Sequence, residues 1–205
     1  TASVINTGQT CYASTRILAP VGRYEEVLDA VTAMVESLPV GDPLDPTTFI
    51  GPLVSAGQRE RVESFIAAGT AEGARITTGG SRPRTLERGW FLEPTVFGNV
   101  SANHTIATEE IFGPVLSVIP YTDEAQAIAI ANDSEYGLGG TVWTADFDRG
   151  MEIARSVDTG SFGINGYTLD FGAPFGGTKA SGIGRELGPE GLAAYFQTKS
   201  IFTTA

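Results

Sequence analysis

Apolar positions recur along the chain at helical spacing in several segments. Residues 24–38 carry such a pattern, and Pro39 is expected to end the helix that the pattern predicts. The apolar side chains of this segment are Val27, Leu28, Val31, Met34, Val35 and Leu38. A second helix is predicted over residues 56–69, with Val62, Phe65 and Ile66 on its buried face.

Short apolar runs between the helical segments predict strands. The predicted strands are 16–19, 74–80, 90–97, 114–121, 139–145 and 160–166, and two more helices are predicted at 122–133 and 146–157. Strands and helices that alternate in this way predict an α/β fold, a mostly parallel sheet with helices on both faces. No low-complexity linker divides the chain, so we expect one domain over residues 1–205.

Composition narrows the class of protein. The 205 residues are 41% hydrophobic, which suffices for a substantial core, and 24 acidic against 13 basic residues give a net charge of −11. A surface this acidic repels phosphate backbones, so no nucleic-acid partner is expected. No apolar run approaches the roughly 18 residues of a membrane span, so no membrane partner is expected either. One cysteine cannot form an internal disulfide, which indicates a cytoplasmic location.

That cysteine, Cys11, ends the stretch NTGQTC. Free cysteines are often buried core residues, but those usually lie in apolar runs. Cys11 instead follows polar residues and Gly8, where the backbone can approach a ligand closely. Local context alone leaves two readings open, a buried spacer and a reactive thiol.

Three further stretches stand out. EEIFGPV, residues 109–115, places two carboxylates before a Gly-Pro turn, a pattern that by itself favours a solvated acidic pair. PFGGTKASGIGRELG, residues 174–188, is rich in glycine but misses the spacing of a dinucleotide-binding loop. NGYTLDFGAPF, residues 165–175, puts aromatic side chains and an amide after a strand, where α/β folds place a pocket.

The order and separation of NTGQTC, EEIFGPV and PFGGTKASGIGRELG resemble the aldehyde dehydrogenase superfamily. The segments GPLVSAGQRERV, WFLEPTVF and NDSEYGLGGTVWT, which lie between them, are similar to it as well. The resemblance covers nearly all of residues 1–205, and it corresponds to the C-terminal catalytic domain. It implies that the chain is a fragment that lacks the family's nucleotide-binding domain.

The resemblance implies roles for single residues. Cys11 matches the nucleophile, whose thiolate attacks an aldehyde to give a thiohemiacetal and then, after loss of hydride, a thioester. Glu110 matches the carboxylate that binds the nicotinamide ribose, and Phe112 matches the aromatic residue beside the nicotinamide ring. Gln58 and Arg61 occupy positions of further ribose contacts, although the family usually has lysine where Arg61 stands.

The substrate side is implied in the same way. Phe171 and Phe175 match residues that line the aldehyde tunnel, and Asn165 helps to shape that region. The resemblance implies NAD or NADP as cofactor, a small-molecule aldehyde as substrate, and no metal. It places the general-base glutamate outside these 205 residues, so the isolated chain is expected to be inactive. Residues 198–205 favour an oligomerisation strand, and the full-length parent is expected to be a homodimer or homotetramer.

Other functions fit the sequence less well. A cysteine protease needs a histidine partner for Cys11, and the only histidine, His104, lies in a polar loop. A metal site needs several clustered ligands. A family member recruited as a structural or binding protein stays open, although Cys11, Glu110 and Phe112 argue against it. Acyl-phosphate reductases are the nearest enzymatic rival, and EEIFGPV favours the aldehyde-oxidising branch.

Overall fold

The computed structural model of the chain describes residues 2–204. Two compact units are present, one formed by the residues up to Ser134 and the other by the residues from Glu135 onwards. Helices and strands of the first unit are, in chain order, β1 (Arg16–Pro20), α1 (Tyr24–Glu36), α2 (Ala56–Ala71), β2 (Arg75–Thr78), β3 (Thr95–Gly98), α3 (Thr105–Thr108), β4 (Val115–Tyr121) and α4 (Glu124–Asn132). A first 3₁₀ segment lies at Ala2–Gly8 and is kinked at residues 5–7, where the backbone is not helical, and a second lies at Val21–Arg23.

The first unit is built on a four-stranded sheet with the order β1-β4-β3-β2. β4 runs parallel to both of its neighbours: Arg16 pairs with Ser117 on the β1 side, and Thr95 pairs with Val115 on the β3 side. Only β2 is antiparallel, against β3. The prediction of a mostly parallel sheet is therefore confirmed.

β4 forms the centre of the first unit because both of its faces are covered. Val115 and Ile119 pack in one apolar cluster with residues of α2 and α3. Leu116 and Val118 pack in a second cluster with residues of α1. Ser117, between them, is buried, and its hydroxyl donates to the carbonyl of Ile106 at 3.0 Å, so the polar group is satisfied. Helices thus cover both faces of this sheet, as predicted.

Helix ends in the first unit follow local chemistry. Ser55 caps α2 by accepting a hydrogen bond from the Gln58 N–H at 3.1 Å, and Asp123 caps α4 in the same way. α1 ends at Glu36, before the Pro39 that was expected to stop it. The predicted strand over residues 90–97 is shorter than expected and begins at Thr95, because Pro94 has no N–H to donate to a ladder.

The second unit contains two small sheets. Its elements are β5 (Tyr136–Gly137), β6 (Gly139–Val142), α5 (Phe147–Ser156), β7 (Ser161–Ile164), β8 (Thr178–Lys179) and α6 (Gly188–Ala193). β6 and β7 pair in parallel, and β5 and β8 pair antiparallel. The strands predicted at 139–145 and 160–166 and the helix at 146–157 are confirmed in shorter form, whereas β5, β8 and α6 were not predicted.

The C-terminal segment carries no strand over residues 198–204. The predicted oligomerisation strand concerns pairing with another subunit, so it stays a prediction, as does the single catalytic domain over residues 1–205. Within residues 2–204, no helix combines the length and the apolar surface that a membrane crossing requires.

Candidate active site

Cys11 lies on an exposed turn directly after the first 3₁₀ segment. The backbone of this segment is unusual, because Asn6 and Thr7 have φ angles of 51° and 57° and Gly8 has 71°. Side chains hold this conformation: the Asn6 amide donates to the Gln9 carbonyl at 3.0 Å, and the hydroxyl of buried Thr7 donates to Gly51 at 3.1 Å. Because its side chain is exposed, Cys11 is not a core residue of this chain.

Gly8 joins the cysteine turn to the EEIFGPV stretch. A Cβ atom at Gly8 would lie 2.1 Å from the carbonyl oxygen of Gly113, so only glycine fits at this approach. A second contact joins the turn to the loop just before α2, where the Val54 N–H donates to the side-chain oxygen of Gln9 at 3.0 Å. The sequence showed the glycine in NTGQTC but not its partner, which is distant along the chain.

The EEIFGPV stretch forms a loop that exposes two of the predicted site residues. Ile111 is buried in the apolar cluster beneath it, whereas the side chains of Glu110 and Phe112 are exposed on either side. Phe112 has a φ of 58°, a left-handed conformation that is uncommon for a bulky residue. An exposed carboxylate can accept hydrogen bonds from hydroxyl groups, and an exposed aromatic ring beside it can pack against a planar ring.

Gln58 and Arg61 lie one helical turn apart on α2, next to this loop. The Gln58 amide nitrogen donates to the carbonyls of Phe112 at 2.7 Å and Ile111 at 3.3 Å. The Arg61 guanidinium donates to the carbonyl of Glu110 at 2.7 Å. The structure thus brings Gln58, Arg61, Glu110 and Phe112 together in the first unit, and the two α2 side chains bind backbone carbonyls.

Asn165, Phe171 and Phe175 all lie in the second unit. The Asn165 side chain pairs with the backbone of Thr144, accepting from its N–H and donating to its carbonyl, both at 2.8 Å. Its amide therefore joins the ends of β6 and β7. Phe171 is 75% exposed, and Phe175 forms a backbone bridge with Glu186.

An open cavity of about 470 Å³ lies in the second unit beside β7. Phe175 contributes to its wall, whereas Phe171 and Asn165 do not. The apolar and aromatic side chains of the wall are Phe162, Ile164, Tyr167, Leu169, Ala173, Pro174 and Phe175. Ser161, Thr168 and Asp170 also line the cavity, so its wall is partly polar, and only its apolar part suits an apolar group of a small molecule.

The alternative sites have less support in the structure. His104, the histidine that a protease would need, accepts a hydrogen bond on Nδ1 from the nearby Ser101 N–H at 3.3 Å. This bond ties the ring to its own turn. Over residues 2–204, no group of three or more His, Cys, Asp or Glu side chains is placed to hold a metal ion.

Comparison with known proteins identifies the family that this chain matches. Residues 1–201 match the aldehyde dehydrogenase family. Over 200 residues the chain is 56% identical to geranial dehydrogenase of Castellaniella defragrans, covering 98% of this chain and 41% of that protein. Over 199 residues it is 46% identical to a 3-succinoylsemialdehyde-pyridine dehydrogenase of a Pseudomonas species, covering 97% of this chain and 42% of that one.

Solved structures are similar as well. An aldehyde dehydrogenase of Mycobacterium tuberculosis in complex with NAD+ matches with a TM-score of 0.97 and 56% identity, over 99% of this chain and 42% of that chain. The C291A mutant of aldehyde dehydrogenase C from Pseudomonas syringae, in complex with NAD+ and octanal, matches with a TM-score of 0.95 and 40% identity, over 98% and 41%. The chain thus spans about two-fifths of the length of these relatives.

Proposed function

The chain belongs to the aldehyde dehydrogenase family, and from this premise we propose that it takes part in oxidising an aldehyde to a carboxylic acid with NAD. The observation that carries the proposal is the exposed thiol of Cys11 on a turn packed against the loop that exposes Glu110 and Phe112. The choice of NAD over NADP is supported by the NAD+ complexes of similar structures.

Cys11 acts as the nucleophile in this proposal. Its thiolate attacks the carbonyl carbon and forms a thiohemiacetal, whose oxyanion is stabilised by backbone N–H donors. Loss of hydride from that carbon leaves a thioester on the Cys11 sulfur. The chemistry that bound NAD supplies is acceptance of this hydride. Water then adds to the thioester, the carboxylic acid leaves, and the thiol is restored.

The other site residues bind and orient in this scheme. Glu110 accepts hydrogen bonds from the nicotinamide ribose, and Phe112 packs beside the ring. Gln58 and Arg61 lie where further ribose contacts are proposed. Their position next to the Glu110 loop supports a role on the cofactor side.

On the substrate side, Asn165, Phe171 and Phe175 are proposed to shape the aldehyde region. The cavity that Phe175 lines has a partly apolar wall, which supports this assignment.

Hydrolysis of the thioester needs a base that takes a proton from water. The resemblance assigns that base to a glutamate that is not among these 205 residues. We therefore expect the 205 residues alone to be alkylated at Cys11 without catalysing turnover. The proposed assembly is a homodimer or homotetramer of the full-length parent, and the exposed Ile201 and Phe202 side chains support a contact near the C-terminus. The cytoplasmic location stays a prediction.

Substitution of the nucleophile tests the proposal. Formation of reduced NAD should be followed in the full-length enzyme, which supplies the general base. The unsubstituted enzyme, Cys11→Ser and the neighbouring control Thr10→Ser should be compared. Cys11→Ser is expected to lose about a thousandfold or more in kcat, because a hydroxyl is a far weaker nucleophile than a thiolate. Thr10→Ser should keep most of the activity. Turnover retained in Cys11→Ser would contradict the thioester route.

A further inference from the structure

The donors of Gln58 are already used within the protein. Its amide nitrogen has two hydrogens, and it donates to two carbonyl oxygens, those of Ile111 and Phe112. The amide nitrogen thus donates within the protein, and the group of Gln58 best placed to bind a ribose hydroxyl is its amide oxygen, as an acceptor. The orientation of the amide follows from the same contacts, because two carbonyl oxygens face the nitrogen and would repel the amide oxygen.

Arg61 is held in a fixed orientation of its own. Its guanidinium lies over the ring of Phe65, with 4.8 Å between the guanidinium carbon and the ring centroid, while one N–H donates to the Glu110 carbonyl. Stacking on an aromatic ring together with a directed hydrogen bond uses the planar shape that distinguishes arginine from lysine. A lysine could donate to the same carbonyl but would lose the planar contact with Phe65.

The loop that receives these hydrogen bonds needs external support. Its backbone between α3 and β4 is irregular, and Phe112 is held in the left-handed region, which is unfavourable for such a residue unless the surroundings impose it. Three successive carbonyls, those of residues 110, 111 and 112, accept from two side chains one helical turn apart on α2. Residues at this spacing project from the same face of a helix.

From these contacts we infer that Gln58 and Arg61 are positioning residues that fix the backbone of the loop carrying Glu110 and Phe112. The inference rests on the proposed function, because it assigns the loop to the cofactor. The two side chains act through Glu110 and Phe112 and keep them in place before any cofactor binds. Gly8, packed against Gly113, places the cysteine turn against the same fixed loop.

Loop mobility without cofactor separates positioning from direct recognition. Backbone ¹⁵N relaxation should be measured for the 205-residue chain and for Arg61→Ala and Gln58→Leu. We expect the order parameters of residues 110–113 to fall from about 0.85 to below about 0.6 in both variants. Arg59→Ala is the matched control, because Arg59 is on the same helix and donates to the carbonyl of Gly89 instead. It should leave residues 110–113 rigid.

Kinetics of the active enzyme provide the second readout. Arg61→Ala is expected to lower kcat about tenfold or more and to change KM for NAD less, because a misplaced loop affects the reacting geometry. Arg61→Lys should fall between parent and Arg61→Ala in both measurements, since it keeps a donor but not the stacking. If the order parameters of residues 110–113 stayed unchanged in Arg61→Ala and Gln58→Leu while NAD binding became weaker, the inference would be overturned. Gln58 and Arg61 would then contact the cofactor directly. A loosened loop in a protein without aldehyde oxidation would support the inference and contradict the proposed function.

Discussion

The two units bury their interiors by opposite means. In the first unit, apolar side chains fill both sides of β4, and Phe97 and Leu116 are fully buried. In the described residues from Glu135 to 204, no apolar side chain is buried, and each buried residue is a glycine. A Cβ at Gly160 would lie 1.7 Å from the carbonyl oxygen of Gly176, so backbone packs directly on backbone there. Large apolar side chains thus fill the interior of the first unit, whereas close backbone contacts at glycines hold the second unit together.

This difference extends to the predicted site residues. In the first unit, the loop of Glu110 and Phe112 is anchored in the apolar cluster through Ile111. In the second unit, Asn165 is held through hydrogen bonds to the backbone of Thr144. We therefore expect the first unit to be destabilised most by loss of side-chain volume, and the second unit to be destabilised by added side-chain volume.

Removal of a large side chain should give the largest effect. Phe97→Ala is expected to lower the free energy of unfolding by about 3–5 kcal/mol, because it leaves a cavity in the apolar cluster. The matched control is Phe147→Ala in the second unit, where the ring is 65% exposed and a change within about 0.5 kcal/mol is expected. Urea titrations followed by circular dichroism would measure both. Equal losses would contradict the comparison.

Addition of one methyl group should give an intermediate effect in the second unit. Gly160→Ala forces a Cβ against the Gly176 carbonyl and is expected to cost about 1–3 kcal/mol. Gly166→Ala is the control, because nothing lies within 4 Å of the added atom. Amide hydrogen exchange in β6 and β7 would report the change. Similar exchange rates in the two variants would show that the backbone contact is unimportant.

The smallest effect on stability is expected from an ion pair on the surface of the first unit. In the first unit, hydrogen bonds from Arg82 lower the pKa of the Glu63 carboxyl below its ordinary value of 4.5. Because the folded state has the lower pKa, the pair stabilises above pH 4.5, and this contribution is lost as the pH falls through the folded pKa. On acidification, the free energy of unfolding of the unsubstituted chain should fall by up to about 1 kcal/mol more than that of Glu63→Gln. Denaturant unfolding at several pH values would measure it, and identical pH profiles would contradict the assignment. Arg82→Gln should reproduce the profile of Glu63→Gln.

The elements with a strong local pattern were predictable from the sequence. β4 is mostly apolar, and α1 and α2 show helical spacing, so all three were found near their true bounds. β5 and β8 were missed because each has only two residues, and they exist through pairing of Gly137 with Thr178, distant along the chain. Local periodicity carries no signal for such a pair.

The sequence pointed to candidate residues for the site, whose roles stay predictions, but it did not show their contacts. The resemblance pointed to Gln58 and Arg61 as ribose contacts, an assignment that stays a prediction. Their hydrogen bonds to the carbonyls of residues 110–112 depend on how α2 packs beside a loop far along the chain. The spacing of residues along the sequence does not show that α2 and this loop lie side by side.

The strand order of the first unit also bears on how fast the chain folds. β1 pairs with β4, so Arg16 meets Ser117 only after a very long loop has closed. Native contacts between such distant segments slow folding, because loop entropy is lost before the contacts form. Cys11 lies just ahead of β1 and reaches its native turn late in this process. Its thiol is exposed in the folded chain as well as in the unfolded one, so it is open to oxidation throughout folding, and refolding yield should depend on a reductant.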